Sequence, residues 1–415
     1  MFQVGLRAFL GSIIKVGSLT VIWPDRRSEK FGSGDPHVTI RVDHPRFARR
    51  VLRNPPLGVG ESYMDGDYSV EDGTIEDLMD LLFLNMGWGR GHWFLETLNW
   101  VQKMGKRLFE HNPVYRSKRN VAHHYDLSDD FYDLFLDSRR QYSCAYFITP
   151  DDHLETAQEQ KLRHIAAKLL LKPGMRVLDV GCGWGGLAMY LARNAEVHVT
   201  GITLSQEQLK VAQERAREAG LGGRVEFRLQ DYREVEERFD RIVSVGMFEH
   251  VGTNHYRRFF AKIRECLEDD GVALLHSIGR ADGPSVTNQW IRKYIFPGGY
   301  SPALSEVLPA VERSELYATD VEILRLHYAE TLKHWLHRLW ARRAEVAEIY
   351  DERFCRMWEF YFAASEAVFR RGGHIVFQLQ LARQVDTVPM TRDYMFDWER
   401  SQGEMAVTKQ LDKIA

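Results

Sequence analysis

The sequence predicts an α/β fold with a doubly wound, mostly parallel sheet, preceded by a smaller α+β domain. From about residue 155 onward, short apolar segments alternate with amphipathic helical segments, as in a sheet covered by helices on both faces. The first of these apolar segments, MRVLDV, ends in a glycine-rich turn, GCGWGG, at residues 181–186. The first 85 residues lack this alternation and are rich in turns and short strand-like runs, which indicates a separate unit.

Composition and charge narrow the class of protein. A chain of 415 residues is expected to form two domains. Its formal net charge of −3 provides no basic field that would attract nucleic acid, so we expect no nucleic-acid partner. The four cysteines lie far apart in no metal or disulfide pattern, which suits a reducing compartment. Because no apolar run approaches the length of about 20 residues that crosses a membrane, we expect a cytoplasmic protein without a membrane span.

Residues 1–85 are expected to form the small α+β domain. The segments GSLTVIWPD and HVTIRVD have the composition of strands, and IEDLMDLLFLNM follows Thr74 as a helix. The N-terminal helix either packs on its own domain, which we favour, or lies on a membrane surface. We expect no signal peptide, because Lys15 interrupts the apolar run of this segment. Its apolar face is predicted from residues that recur at helical spacing: Leu6, Phe9, Leu10, Ile13 and Ile14.

Three further regions follow the small domain. Residues 121–392 are predicted to form the large α/β domain, in which the part after residue 310 is mainly helical. Residues 393–415 are expected to form a loosely attached tail. Residues 86–120 predict a helical linker with a basic cluster, which either faces solvent or contacts lipid phosphates: Lys103, Lys106, Arg107, Arg116, Lys118 and Arg119.

The elements of the large domain alternate in order along the chain. The predicted strands are MRVLDV, EVHVTGI, RVEFRLQ, DRIVSVG and GVALLHSIG. The predicted helices between them are WGGLAMYLARN, SQEQLKVAQERAREAG and NHYRRFFAKIRECL. Apolar strands separated by helices are typical of parallel sheets buried on both faces.

A group of acids and histidines before these strands, from His123 to Asp133, invites a metal-site interpretation. Ser128 followed by Asp129 and Asp130 instead has the pattern of a helix start, in which a serine caps the helix and acids occupy its first turn. We therefore expect a capped helix and no metal site.

The glycine-rich turn predicts a ligand at the carboxyl end of the first strand. The strand ends in Asp179, and the glycines follow as Gly-x-Gly-x-Gly-Gly, which favours S-adenosylmethionine (SAM) over a dinucleotide, whose fingerprint is Gly-x-Gly-x-x-Gly. The second strand lacks the acid that often binds the ribose, so we expect Thr203 or Gln208 to take that role. Asp231 and Tyr232, after the third strand, are expected to receive the adenine.

Several motifs resemble one family. They are HHYDLSDDFY at 123–132, YSCAYF at 142–147, TLSQEQ at 203–208, GMFEHVG at 246–252, LLHSIG at 274–279 and KYIFPGG at 293–299. With the glycine turn they closely resemble the cyclopropane-fatty-acyl-phospholipid synthases, in the mycolic acid cyclopropane synthase family of SAM-dependent methyltransferases, over roughly residues 110–390. The resemblance implies a Rossmann-like class I methyltransferase sheet. It also implies transfer of the SAM methyl to a cis double bond of a phospholipid acyl chain, loss of a proton and closure of a cyclopropane ring.

The resemblance also implies a set of site residues. The implied base is a bound bicarbonate ion, held by Cys144, Glu249, His276, Ile278 and Tyr328, with Ile278 contributing only backbone groups. An ionised Glu249 is the alternative base. Such a site must also be dry, because water would trap the carbocation that forms when an alkene accepts a methyl group. The implied cofactor-binding residues are Tyr142, Ser143, Asp179, Gly181, Cys182, Gly183, Trp184, Gly185, Gly186, Thr203, Leu204, Ser205, Gln208, Asp231 and Tyr232.

The expected partner is a phospholipid bilayer with unsaturated acyl chains. The resemblance implies that the protein is a homodimer that binds peripherally to the inner face of this membrane. Three other functions compete with cyclopropane formation: methyl- or methylene-branched fatty acyl synthesis, N-methylation of a small amine, and lipid binding without catalysis.

His250 is expected to be structural, although it follows Glu249 directly. Aromatic residues are expected to line the acyl pocket: Trp290, Tyr294, Phe296, Trp335, Trp358, Tyr361 and Phe362.

Overall fold

The computed structural model describes residues 2–87 and 127–411, with side chains described up to residue 402. The basic cluster between residues 103 and 119 lies outside the described residues, as do His123, His124 and Asp126. Within the described residues, the chain forms one sheet of four strands and one of seven.

The N-terminal part forms a small α+β unit. The four strands of its sheet lie in the order β2-β1-β3-β4, in which β1 is parallel to β3 and the other neighbours are antiparallel. The strands predicted at β1 and β3 and the helix predicted at α4 are confirmed. In chain order the elements are α1 (Phe2–Ile13), β1 (Gly17–Ile22), β2 (Ser28–Ser33), β3 (His37–Val42), α2 (Arg46–Arg53), α3 (Pro55–Met64), β4 (Tyr68–Asp72) and α4 (Ile75–Met86).

Helix α1 packs against its own domain, as we favoured from the sequence. Leu6, Leu10 and Ile13 are buried, whereas Phe2 and Val4 near the start of the helix face solvent. The predicted apolar face is thus covered by protein, because burying it stabilises the small unit more than leaving it in water.

Residues 55–64, which the sequence showed only as a glycine-punctuated region, form helix α3. The Asn54 side chain caps its first turn. Its glycines allow close packing: a Cβ on Gly58 would lie 2.4 Å from a carbonyl oxygen of α2, and one on Gly60 would lie 2.5 Å from Trp290 Nε1. Close approach of neighbouring elements, and not turn formation, explains these glycines.

The larger sheet has the order β10-β11-β9-β8-β5-β6-β7. Strands β5 to β9 are parallel to their neighbours in this group, so the doubly wound, mostly parallel sheet and its five predicted strands are confirmed. Strand β11 is antiparallel to both β9 and β10. The strands are β5 (Arg176–Val180), β6 (His198–Thr203), β7 (Val225–Leu229), β8 (Phe239–Val245), β9 (Leu267–Arg280), β10 (Tyr317–Ile323) and β11 (His374–Ala382).

Strands β10 and β11 lie in the region that we predicted to be mainly helical, and the prediction missed both of them. In β11, Gln378 and Gln380 are buried although they interrupt an otherwise apolar segment. Central strands that are covered on both faces are usually continuously apolar, so these two amides conceal the strand in the sequence.

Helices cover both faces of the larger sheet and extend beyond it. Among the described residues, no helix combines the length and the apolar character that a membrane crossing requires. The helices are α5 (Asp129–Asp133), α6 (Leu154–Lys168), α7 (Gly186–Asn194), α8 (Gln206–Glu218), α9 (Tyr256–Cys266), α10 (Gln289–Tyr294), α11 (Leu304–Glu312), α12 (His327–Ala341), α13 (Arg343–Ile349), α14 (Glu352–Arg371) and α15 (Asp393–Leu411).

The small unit docks on the larger one through helices α3 and α4, both of which pack against α14. Lys293 Nζ of α10 donates to Glu61 Oε1 at 2.6 Å, and the Tyr63 hydroxyl donates to Glu359 Oε2 of α14 at 3.1 Å. Helix α3 therefore braces α10 and α14 of the larger unit.

The start of helix α15 is firmly attached. Met395 is buried, Gln380 Nε2 of β11 donates to the Tyr394 hydroxyl at 2.8 Å, and Glu399 Oε1 lies 2.6 Å from His164 Nδ1 of α6. The expectation of a loosely attached tail is therefore wrong for residues 393–399.

The contact between α3 and Trp290 yields a stability prediction. Gly60→Ala should lower the free energy of unfolding by about 1–3 kcal/mol, since the added methyl group must displace the Trp290 ring or the Phe360 ring, which its Cβ would approach to 2.7 Å. Gly222→Ala is the matched control, because a Cβ there meets no atom within 4 Å. Denaturant unfolding of both variants measures the difference, and equal stability would contradict the assigned packing.

Candidate active site

A cleft opens at the carboxyl ends of β5, β6 and β8, the edge where parallel sheets bind ligands. The cleft is partly open to solvent and is lined by the glycine turn and by residues that follow β6, β7 and β8. Gly185 and Ser205 do not line it, but the other predicted cofactor-binding residues do: Tyr142, Ser143, Asp179, Gly181, Cys182, Gly183, Trp184, Gly186, Thr203, Leu204, Gln208, Asp231 and Tyr232.

The glycine turn connects β5 to α7 with left-handed backbone at three positions. Gly181 has φ +83°, and a Cβ there would lie 2.8 Å from Met247 Cβ. Gly183 has φ +54° and opens onto the cleft. Gly185 has φ +80°, and its missing side chain makes room for the Phe227 ring. Gly183 therefore keeps the backbone accessible to a ligand, whereas Gly181 and Gly185 make room for Met247 and Phe227.

The two residues expected at the ribose are joined to each other. Thr203 Oγ1 donates to Gln208 Oε1 at 3.0 Å. Ser205 accepts a hydrogen bond from the Gln208 N–H at 3.3 Å and so caps helix α8. Thr203 and Gln208 thus form one polar pair at the cleft, and Ser205 supports the helix that carries it.

At the expected adenine end of the cleft, Asp231 is paired with a residue that sequence reasoning missed. Arg233 Nη2 donates to Asp231 Oδ2 at 2.6 Å and Arg233 Nε donates to Oδ1 at 2.8 Å. Arg233 lines the cleft as well. The carboxylate of Asp231 is therefore held in place by a bidentate ion pair beside Tyr232.

At the opposite end, Asp179 is buried at the tip of β5, and its Oδ2 has no hydrogen-bond partner among the described residues. Burial raises the pKa of Asp179 to about 7, and the positive charge of Lys161 opposes that rise. A buried acceptor without a donor costs about 1–3 kcal/mol, so this oxygen is suited to a ligand that donates a hydrogen bond.

Helix α6 carries a buried polar stripe that sequence reasoning missed. Gln158, Lys161, His164 and Lys168 are all buried, and their spacing places them on one face of the helix. Lys161 Nζ lines the cleft, where it donates to Ser143 Oγ at 3.0 Å, and burial lowers its pKa to about 8. Polar residues that recur at helical spacing beside the glycine-loop strand were the available signal.

The strand β8 delivers Glu249 into a buried position just past its end. The Ile278 N–H donates to Glu249 Oε1 at 2.6 Å, and the Tyr300 N–H donates to the Glu249 carbonyl at 2.9 Å. Glu249 Oε2 has no hydrogen-bond partner among the described residues, and burial raises the pKa of this carboxyl to about 7. His250, which we expected to be structural, lines the cleft, and burial lowers its pKa to about 4.

His276 lies on β9, two residues before Ile278 and therefore on the same face of the strand. Its Nδ1 lies 3.2 Å from Gln378 Nε2 of β11. The backbone carbonyl of His276 accepts from the Gly246 N–H at 3.0 Å, which links β9 to the cleft wall.

Cys144 and Tyr328 approach from another direction. Cys144 is buried, its Sγ donates to the Ala145 carbonyl at 3.2 Å, and burial raises the pKa of the thiol. Tyr328 is buried on α12, one turn before Thr331, whose Oγ1 accepts from the Ala145 N–H at 3.0 Å. Cys144, Tyr328 and Ile278 pack in one apolar cluster. None of the five predicted catalytic residues is among those that line the cleft.

Most of the aromatic residues expected in an acyl pocket are fully buried in the core. Trp335, Trp358 and Phe362 are at most 1% exposed and pack on one another or on neighbouring rings. Phe296 differs from them, because its ring centroid lies 6.2 Å from that of His250 and 5.9 Å from that of Tyr361, beside the cleft. The aromatic content of this region therefore mainly reflects core packing.

The helix start predicted at Ser128 is confirmed. Ser128 Oγ accepts from the Phe131 N–H at 3.3 Å, and Asp129 and Asp130 occupy the first turn of α5. Asp129 Oδ1 also accepts from Trp184 Nε1 at 3.1 Å. The acids of this helix thus support the cofactor loop.

Comparisons with known proteins agree with the resemblance seen in the motifs. The family model of the mycolic acid cyclopropane synthetases matches residues 113–379, and a model described as a domain of unknown function (DUF7884) matches residues 8–87. The cyclopropane-fatty-acyl-phospholipid synthase of Escherichia coli strain K12 is 42% identical over 85% of this chain and 90% of its own.

Solved structures give the same result. The cyclopropane synthase MmaA2 from Mycobacterium tuberculosis is 35% identical, with a TM-score of 0.61 over 65% of this chain and 99% of its own. The mycolic acid cyclopropane synthase CmaA1, complexed with SAH and CTAB, is also 35% identical, with a TM-score of 0.61 over 66% of this chain and 99% of its own. With a family model that covers more than half of its residues, the chain belongs to the mycolic acid cyclopropane synthetase family of SAM-dependent methyltransferases.

Proposed function

We propose that this protein transfers the methyl group of SAM to the cis double bond of an unsaturated phospholipid acyl chain and closes a cyclopropane ring, with a bound bicarbonate ion assisting the deprotonation. The observation that carries the proposal is the buried Glu249 carboxylate. One of its oxygens is fixed by the Ile278 N–H at 2.6 Å, and the other has no partner among the described residues. Such an acceptor is suited to a ligand that brings a hydroxyl group.

The residues of the cleft fit SAM. Gly183 leaves the backbone open to a ligand, and Asp179 Oδ2, which has no hydrogen-bond partner among the described residues, can accept a hydrogen bond from a cationic or hydroxyl donor. When bound, SAM supplies an electrophilic methyl group. The task of the chain's own residues is positioning, because an alkene has no lone pair that a base could activate.

The chemistry of the predicted catalytic residues fits a small oxyanion. Burial raises the pKa of the Cys144 thiol and lowers the pKa of His276 to about 3, so both side chains are neutral. The imidazole has one N–H to donate, and the thiol, which here donates to the Ala145 carbonyl, would have to turn to reach an anion. The Glu249 Oε2 would accept a hydrogen bond from the hydroxyl of bicarbonate and thereby fix its orientation. Tyr328 is the remaining candidate donor in the apolar cluster that contains Cys144. The exclusion of water by this cluster protects a carbocation.

The proposal includes action at a membrane. Because the acyl chain of a phospholipid resides in a bilayer, the protein must reach the bilayer surface, and we propose peripheral binding as a homodimer at its cytoplasmic face. Sedimentation with vesicles of unsaturated phospholipid tests the binding, and light scattering of the free protein tests the dimer.

The reaction is tested by product analysis. We expect that full-length protein, incubated with SAM, bicarbonate and vesicles of cis-monounsaturated phospholipid, yields saturated acyl chains that carry one additional methylene group in a ring. Mass spectrometry and NMR of the fatty esters distinguish this product from methyl- or methylene-branched chains. Unchanged lipid together with methylation of small amines would refute the proposal. Branched acyl chains as the product would show that the carbocation loses a different proton, so that methyl transfer occurs but no ring closes.

The role of Glu249 is tested by Glu249→Gln. The amide keeps the shape of the side chain and its bond to the Ile278 N–H but removes the negative charge, so turnover should fall by about 10²–10⁴-fold while SAM affinity stays the same. Initial rates at saturating SAM and calorimetric titration with SAM measure the two quantities. Glu306→Gln is the control, because Glu306 caps helix α11 by accepting from the Ala303 N–H at 3.0 Å. Normal turnover in Glu249→Gln would contradict the assignment.

A further inference from the structure

The proton on the His276 ring is determined by residues that no motif identified. His276 is 2% exposed and pairs across the sheet with Gln378 of β11. The side chains also meet, because Gln378 Nε2 lies 3.2 Å from His276 Nδ1. The roles in this hydrogen bond depend on the orientation of the Gln378 amide.

Lys168 determines that orientation. Its Nζ, at the end of α6, lies 2.6 Å from Gln378 Oε1 and forms an ion pair with Glu322. Burial lowers the pKa of Lys168, and the Glu322 carboxylate opposes this shift by favouring the charged amine. The ammonium group of this ion pair can only donate hydrogen bonds. The Gln378 oxygen must therefore face Lys168, because the reversed amide would place two donors against each other. Gln378 Nε2 is consequently a donor toward His276.

The tautomer of His276 follows from this chain of bonds. Since Gln378 donates to Nδ1, Nδ1 must accept, and the single proton of the neutral ring lies on Nε2. The ring is neutral because burial lowers its pKa to about 3, and the positive charges of Lys161 and Lys168 act in the same direction. No partner for Nε2 occurs among the described residues.

We propose that Lys168 and Gln378 are positioning residues that hold His276 as the Nε2–H tautomer, so that the ring donates a hydrogen bond to the oxyanion beside Glu249. This inference rests on the proposed function. The side chains of His276 and Ile278 project from the same face of β9, and the Ile278 N–H binds Glu249 at 2.6 Å. The other tautomer would direct a lone pair of Nε2 toward the anion and repel it.

The experiment uses the full-length protein labelled with ¹⁵N-histidine. Long-range ¹H–¹⁵N correlation spectra report which ring nitrogen carries the proton, and the spectrum of a His276→Gln variant assigns the His276 signals. In the unaltered protein we expect a bare Nδ1 and a protonated Nε2. These spectra require neither SAM nor lipid, so they test the tautomer independently of the reaction.

Two variants should change the tautomer. Gln378→Glu is nearly isosteric and keeps the pairing with Lys168, but its carboxylate can only accept, so the His276 proton should move to Nδ1. Lys168→Met releases the Gln378 amide and should give a mixture of both tautomers. The new carboxylate favours a charged imidazole, so the variant is measured at alkaline pH, where its ring carries a single proton. There, kcat of Gln378→Glu should be about 10- to 100-fold lower than that of the unaltered protein, with little change in the KM for SAM.

Gln380→Met is the matched control. Gln380 is equally buried on the same strand, but its amide donates to the Lys168 carbonyl and the Tyr394 hydroxyl and makes no contact with His276. This variant should leave the His276 spectrum and kcat unchanged, and so separates positioning from general stability.

Three results would overturn the inference. The first is a proton on Nδ1 in the unaltered protein, and the second is an unchanged His276 spectrum in Gln378→Glu. The third is the expected change of tautomer with an unchanged kcat, which would remove the positioning role but leave the proposed reaction intact. The expected spectra in a protein that forms no cyclopropane would instead refute the proposed function.

Discussion

The hydrogen bond from the Ile278 N–H to Glu249 Oε1 is the contact on which the candidate site depends. Glu249 follows β8 and Ile278 belongs to β9, so the bond ties the end of one central strand to the side of the next. It fixes one carboxylate oxygen and leaves the other buried, with no hydrogen-bond partner among the described residues. A side chain held this way is pre-organised for a ligand, because its desolvation cost has been met during folding.

The desolvation of buried charged groups is also seen in the shifted pKa values of side chains in the candidate site. Burial raises the pKa of Asp179 and Glu249 to about 7 and lowers the pKa of Lys161 to about 8, so that each group lies closer to neutrality than it would in water. Clustering of such groups near one cleft is typical of functional sites, since a purely structural core avoids them. The candidate site thus combines a cleft that is partly open to solvent with buried titratable side chains that are removed from water.

Those features of the fold and the site that depend on a local sequence pattern could be predicted. The apolar strands, the glycine turn after Asp179 and the helix cap at Ser128 each depend on a few adjacent residues, and the structure has them where expected. The missed features have the opposite character. Helix α3 was concealed because Gly60 packs on Trp290, more than 200 positions away, and glycine in a short segment ordinarily indicates a turn.

The same reason explains why the protonation of the site could not be predicted. His276 was identified from its motif, but its tautomer depends on Gln378 of a strand that was missed and on Lys168 of a helix whose buried polar face was not noticed. A motif therefore identifies which side chain is present, whereas long-range pairs decide whether that side chain donates or accepts. In the anion site that we propose, this difference decides whether the anion binds, since a ring that donates a hydrogen bond would attract the oxyanion and a ring that presents a lone pair would repel it.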